Sequence, residues 1–430
     1  MSVRNFLMVV AAVLCVCIQP VQAQSQAGTA LPTATPAQAG FSAEKLQRID
    51  KVIDGEVKQG FPGAVLVVAR NGKIVKASAY GWARMYDGKR LLPVAERQPM
   101  TVDTMFDIAS NTKIYATIFA FMKLNGEGRV NPDDLVCTYL PEFTGQGREK
   151  IRISDVMSHS AGFAPDVGFH RPEAGSFYSL DRKRTERLLN KVPVTFERGT
   201  KQVYSDTDYM LLGTIVEKIT GQRLDAYVEK EIYRPLGLTH TLFLPLQKGF
   251  APTACAATEI CGNTRCGMVS FPGVRTHTLQ GEVQDEQSWY SMGGVAGHAG
   301  LFSRAGDLAV LAQVVLNGGS YGTYKLCRPW IVSDYMRPRN AKYALGWNIA
   351  APGREWEFGS HASPSVVGHS GWTGTDIVID PAYGLVIVLL TNRVHAPNVP
   401  GKPNTFVFDE YKTDSYGDII SMVYEAMVKP

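Results

Sequence analysis

The sequence predicts an α/β chain of the α+β kind. One antiparallel sheet is assembled from both ends of the chain, and a mainly helical region is inserted between its halves. Three observations predict this. Near the N-terminus, β-rich runs at 64–69 and 74–80 flank Arg70-Asn71-Gly72-Lys73, and Asn-Gly between such runs is the signal of a two-residue hairpin. Near the C-terminus, residues 375–380 and 385–390 run apolar on either side of a turn at 381–384. Between about 110 and 340 the apolar residues recur at helical spacing instead, with long loops. Helix and hairpin at one end, with hairpin and helix at the other, fit one split sheet.

The elements follow in order. Arg4 precedes an apolar run at 6–18, and Val21-Gln22-Ala23 follows as a small-residue cleavage site, so 1–23 reads as a secretory signal peptide. The apolar run is shorter than a usual membrane span, although an uncleaved leader would anchor the chain in the inner membrane. Export to a bacterial periplasm is expected. Residues 24–38, rich in Ser, Thr, Pro and Ala, read as a linker, and 39–430 as a single domain. Its sheet region is expected at 39–109 and 341–430, and its helical region at 110–340.

Ser42 caps a helix whose stripe is Leu46, Ile49, Val52, Ile53 and Val57. A second helix carries Ile114, Ile118, Phe121, Met122 and Leu124 and ends at Gly126 and Gly128. Further stripes run from Tyr209 to Gly221, from Leu224 to Ile232 and from Asp307 to Leu316. Residues 153–157 form a short apolar helix. A long irregular segment at 247–287 reads as a wall or lid over a site. Residues 343–350 read as a further strand, and 419–427 as a closing helix.

Composition narrows the function. Apolar residues make up 45% and charged residues 20%, which suits a soluble globular chain with ample core. A net charge of +4 with no long basic run gives no footing for nucleic acid. Five of the seven cysteines lie beyond the leader. Cys261 and Cys266 are close enough to form a small disulfide ring in an oxidising compartment, with Cys137, Cys255 and Cys327 left over. The rival reading, a zinc site, lacks histidines at ligand spacing.

The chemistry gathers at Met105-Phe-Asp-Ile-Ala-Ser110-Asn-Thr-Lys113, a short strand entering a helix. Ser110 and Lys113 lie three apart and share one side of the turn. A hydroxyl beside an amine, near the free N–H groups of a helix start, has the parts of an acyl-transfer nucleophile. Ser42-x-x-Lys45 has the same spacing, but there the serine is most simply a cap. Two further motifs follow: Tyr204-Ser205-Asp206 at a helix start, and His369-Ser370-Gly371 just before an apolar strand. Tyr416-Gly-Asp418 and His298-Ala-Gly300 repeat these patterns out of place; the second reads as a Gly-rich turn. His159, in Ser158-His-Ser-Ala-Gly162, has the chemistry of a general base. Gly-x-Ser-x-Gly is absent around Ser110.

In order and spacing, the three motifs together resemble the Ser-x-x-Lys, Tyr-x-Asn and Lys-x-Gly set of the serine β-lactamase and DD-peptidase superfamily, in its class C-like form. The resemblance implies a β-lactamase/transpeptidase-like fold and an acyl-enzyme on Ser110. It implies that Lys113 and Tyr204 share the proton traffic, and that the N–H groups of Ser110 and Trp372 form an oxyanion hole. His369, Ser370, Gly371 and Asp206 would line the substrate groove, and the resemblance makes His159 a buried, hydrogen-bonded turn residue rather than a base. No cofactor or metal is implied. The implied partners are peptidoglycan stem peptides as substrate, or β-lactams as substrate or inhibitor. The implied activity is D-alanyl-D-alanine carboxypeptidase, with β-lactamase, esterase, D-amino-acid amidase and a wall-binding protein without turnover as rivals.

Two positions depart from the pattern. His369 replaces a lysine, which weakens the attraction for a substrate carboxylate. Asp206 replaces an asparagine, and a carboxylate beside Lys113 favours its ammonium form. That shifts the expected base role toward Tyr204.

Overall fold

The computed structural model describes residues 30–428. The leader lies outside the described residues. Part of the expected linker does not behave as one. Leu31 is buried, Thr33 bridges Ile74, and Ala34 N–H donates to the Ile74 carbonyl at 2.9 Å, so the chain already lies along the sheet before residue 39.

The main sheet has seven strands: β1 (Gly63–Arg70), β2 (Lys73–Arg84), β3 (Gln98–Pro99), β4 (Asn348–Ile349), β5 (Val367–Gly371), β6 (Thr375–Asp380) and β7 (Leu385–Thr391). Their order across the sheet is β4-β5-β6-β7-β1-β2-β3. The N-terminal hairpin therefore joins the C-terminal strands through β1 and β7, antiparallel, with Ala64 opposite Thr391 and Arg70 opposite Leu385. The Asn71-Gly72 turn forms as expected, with both residues at positive φ.

Strand β1 reads as a continuous apolar run because both sheet faces are covered. Val65, Val67 and Ala69 point into the larger core, while Ala64, Leu66 and Val68 point into a smaller one. The smaller core is closed by helices α1 (Ala43–Lys58) and α5 (Gly417–Ala426). Ser42 caps α1, its hydroxyl accepting from Lys45 N–H at 3.3 Å.

The larger core holds the inserted helices. These include α2 (Phe119–Gly126), α3 (Asp206–Thr220) and α4 (Ala305–Leu316). The stretch before α2 is not a plain helix start. Residues Ala109–Asn111 form a 3-10 turn and Lys113–Ile118 a π-helical turn. π turns are rare and gather at functional sites.

The strand expected at 343–350 is a correction. Only Asn348–Ile349 pairs with β5, while Tyr343 bridges back to Asn348. Gly346, at φ 95°, turns the chain in between, and a Cβ there would press on Ile118.

Candidate active site

Three segments distant in sequence meet at one cleft of about 760 Å³ beside the β5 edge. The first is the Ser110 turn. Ala109 is held at φ 46°, a conformation a non-glycine residue rarely adopts. Buried Asp107 fixes it: one carboxylate oxygen accepts from Ala109 N–H at 2.9 Å and the other from Gln284 N–H at 2.7 Å. Burial nevertheless pushes the Asp107 carboxyl up to about 6. The turn is tied to the sheet as well. Asn111 donates to the Thr375 carbonyl at 3.2 Å, and the Thr375 hydroxyl to the Ile108 carbonyl at 3.1 Å. Gly371 is required here, since a Cβ would overlap the Ile108 carbonyl.

Ser110 and Lys113 meet as the spacing predicts. Lys113 Nζ donates to Ser110 Oγ at 2.9 Å, to Asp206 Oδ1 at 2.7 Å and to the His298 carbonyl at 3.3 Å. Its three N–H bonds thus have three acceptors, and the side chain is fully buried. Burial works against the charge, but the Asp206 carboxylate and neighbouring Tyr204 outweigh it and hold the ammonium above its ordinary range. Lys113 Nζ also lies 4.8 Å from the centre of the Tyr204 ring.

The second segment is the start of α3. Asp206 opens the helix, where the positive end of the dipole favours a carboxylate. Tyr204 stands just before it, its phenol pushed up by burial, in contact with Ser110 and Lys113. His159 supports this corner from behind at φ 55°. Its Nδ1 lies 2.8 Å from Asp208 Oδ2 and 3.2 Å from Ser205 N. Burial pushes His159 down and Asp208 up, which favours the uncharged form of each.

The third segment is the end of β5. His369, Ser370, Gly371 and Trp372 all line the cleft. His369 is buried, and its Nδ1–H donates to the Ser370 carbonyl at 2.7 Å. Burial pulls its ring down to about 3, with the Lys113 charge adding to the effect, so it is neutral at any physiological pH. It supplies no cation for a substrate carboxylate.

Sequence reasoning missed two groups. Asp107 braces the Ser110 turn. His298 was assigned only to a Gly-rich turn, yet its carbonyl accepts from Lys113 and its Nε2 lies 2.9 Å from Asp285 Oδ1. Burial opposes charge on both partners, but each sustains the other: His298 is raised and Asp285 is well below the carboxylate range. Asp206, Asp285 and His298 bring ligand atoms within 4.8 Å of one another. The cation that meets Asp206 is the Lys113 ammonium, and His298 Nε2 is engaged by Asp285, so we assign no metal there. The long 247–287 segment does wall the cleft, through Arg265, Gln284 and Asp285. Within it, Cys261 and Cys266, the pair expected to close a small ring, bring their Sγ atoms to 2.6 Å.

The fold and the meeting of these three motifs define a protein of the β-lactamase and penicillin-binding class. The comparisons agree. Residues 49–411 match the Beta-lactamase family model, and the chain belongs to that family. It is 49% identical over 403 residues to an N-acetylmuramyl-L-alanine amidase of Bacillus subtilis (strain 168), covering 90% of each chain. It is 45% identical over 411 residues to a protein of Escherichia coli (strain K12) named "Putative D-alanyl-D-alanine carboxypeptidase", covering 92% of this chain and 94% of that one. Among solved structures, a penicillin-binding protein homologue from Caulobacter crescentus superposes with TM-score 0.65 at 20% identity, over 90% of this chain and 99% of its own. The fold is thus that of β-lactamases and transpeptidases, and the chain is a hydrolase of that family.

Proposed function

We propose that this protein is an exported serine hydrolase that opens an amide bond of peptidoglycan fragments through an acyl-enzyme on Ser110, and that the bond is the one joining N-acetylmuramic acid to L-alanine. The observation that carries the reading is the chemistry around Ser110. A serine hydroxyl lies 2.9 Å from a buried amine at the floor of a cleft large enough for a sugar and a peptide. The choice of bond rests on His369. A carboxypeptidase must hold the free carboxylate of a C-terminal residue, whereas the ring here is neutral and bonded to its own strand. An internal amide makes no such demand. The amidase relative at 49% identity supports this choice.

In this reading Ser110 Oγ attacks the carbonyl, and the N–H groups of Ser110 and Trp372 receive the oxyanion, each worth on the order of 3 kcal/mol. The proton of Ser110 is relayed by Lys113 and Tyr204 to the departing amine, which leaves both side chains as they began, and water then frees Ser110. A second reading, D-alanyl-D-alanine carboxypeptidase, is favoured by the relatives so named at 45–46% identity and by Arg393 in the cleft. Digestion of a purified muropeptide followed by mass spectrometry separates the two. The first reading expects free N-acetylmuramic acid and an intact peptide. Release of D-alanine with the muramyl bond untouched would replace it with the second, and no change in the muropeptide would refute both.

A further inference from the structure

We propose that Asp206 is the terminal proton acceptor of acylation, drawing a proton through Lys113 so that the lysine can accept the one on Ser110. The inference rests on the reading of Ser110 as nucleophile. Ser110 Oγ, Asp206 Oδ1 and the His298 carbonyl each accept one N–H of Lys113, at 2.9, 2.7 and 3.3 Å. A lysine arranged in this way has no lone pair facing Ser110, so it is no base as it stands. Nor is Tyr204 anionic, since burial keeps its proton on. Asp285, the neighbouring carboxylate, is spoken for by His298. Asp206 is the carboxylate in direct contact with the lysine, and it is partly open to the cleft where substrate would lie.

The step balances without any further reagent. A Lys113 proton passes to Asp206 Oδ1, leaving neutral amine and neutral acid. The freed lone pair on Nζ takes the Ser110 proton while Oγ bonds to the substrate carbonyl carbon, whose π electrons move to its oxygen. On collapse, the C–N bond breaks and the leaving nitrogen takes its proton from Lys113, directly or through Tyr204. Asp206 then returns its proton to the lysine, and the resting ion pair is restored. Substrate favours the first transfer. It covers the exposed side of Asp206 and expels water, and a low-dielectric site penalises an ion pair relative to the neutral pair. This arrangement also gives a reason for aspartate at a position where the resembled motif has asparagine. An asparagine could orient the amine but could not take its proton.

The test uses the full chain and a fluorophosphonate probe, which phosphonylates an activated serine whatever its natural substrate. Asp206→Asn keeps an oxygen for Lys113, and circular dichroism checks that it folds. It is expected to slow labelling about 10²-fold or more, within the usual range for losing a proton acceptor. Asp206→Glu is expected to recover most of that loss. In mixed light and heavy water, the wild-type rate should curve as for two protons in flight, and the Asp206→Asn rate should fall on a straight line. Wild-type labelling rates in Asp206→Asn, or a straight line for the wild type, would overturn the proposal. Undiminished labelling of Ser110→Ala would overturn both the relay and the nucleophile. Normal labelling without muropeptide cleavage would refute the substrate reading alone and leave the relay standing.

Discussion

The two faces of the sheet are built by different rules. The face under α1 and α5 is mainly an apolar layer, in which Leu66, Val68, Ile387 and Leu389 meet Ile49, Ile53, Ile420 and Val423, with buried Asp380 accepting from the Tyr424 hydroxyl at 2.8 Å. The opposite face also buries a large apolar core, but near β5 it holds an ammonium, several histidines and several carboxyls away from water. There the backbone is strained at Ala109 and His159. The first face needs chiefly volume and pattern. The second spends stability to aim a few groups, a trade common at functional sites.

Substitutions should therefore separate activity from stability according to face. The largest effect is expected for Ser110→Ala, with a loss on the order of 10⁵-fold in kcat/KM. Its unfolding free energy should stay within about 1 kcal/mol of the parent, read by denaturant titration. Leu389→Ala, under the terminal helices, should do the reverse. It should cost about 2–5 kcal/mol of stability and leave the activity of the folded molecules unchanged. Gly297→Ala tests the boundary between the two regimes. A Cβ there would overlap the Tyr209 carbonyl of α3 and push away the segment that carries His298. It should cost about 1–3 kcal/mol and also lower kcat, because the Lys113 acceptors move with it.

A different effect concerns pH. The His369 ring protonates near pH 3 when folded and near 6.5 when free. Between those values the unfolded chain binds the extra proton, so stability falls as pH drops through the window, at about 1.4 kcal/mol per unit. His369→Gln should flatten that share of the slope in thermal melts at pH 4 to 7. An unchanged slope would show that the ring is not held neutral.

The same contrast explains how much could be read from sequence. The apolar face was legible because period-two runs and the Asn71-Gly72 turn are local signals. Ser110 and Lys113 were legible because three residues of helix bring them together. Asp107 and His298 were not, since their partners lie far along the chain: Gln284 for the first, Lys113 for the second. The strand expected at 343–350 failed on one residue, Gly346, which has a positive φ and packs where a Cβ would press on Ile118, a neighbour far along the chain.

The central claim, that Ser110 carries the acyl group of a peptidoglycan fragment, can be tested directly. The protein would be mixed with a muropeptide, quenched in acid within the first turnovers, and weighed intact by mass spectrometry. The account predicts a transient added mass equal to the N-acetylmuramyl acyl group, mapped to Ser110 and missing in Ser110→Ala. Muropeptide cleavage by Ser110→Ala at the parent rate, with no adduct on either protein, would contradict it.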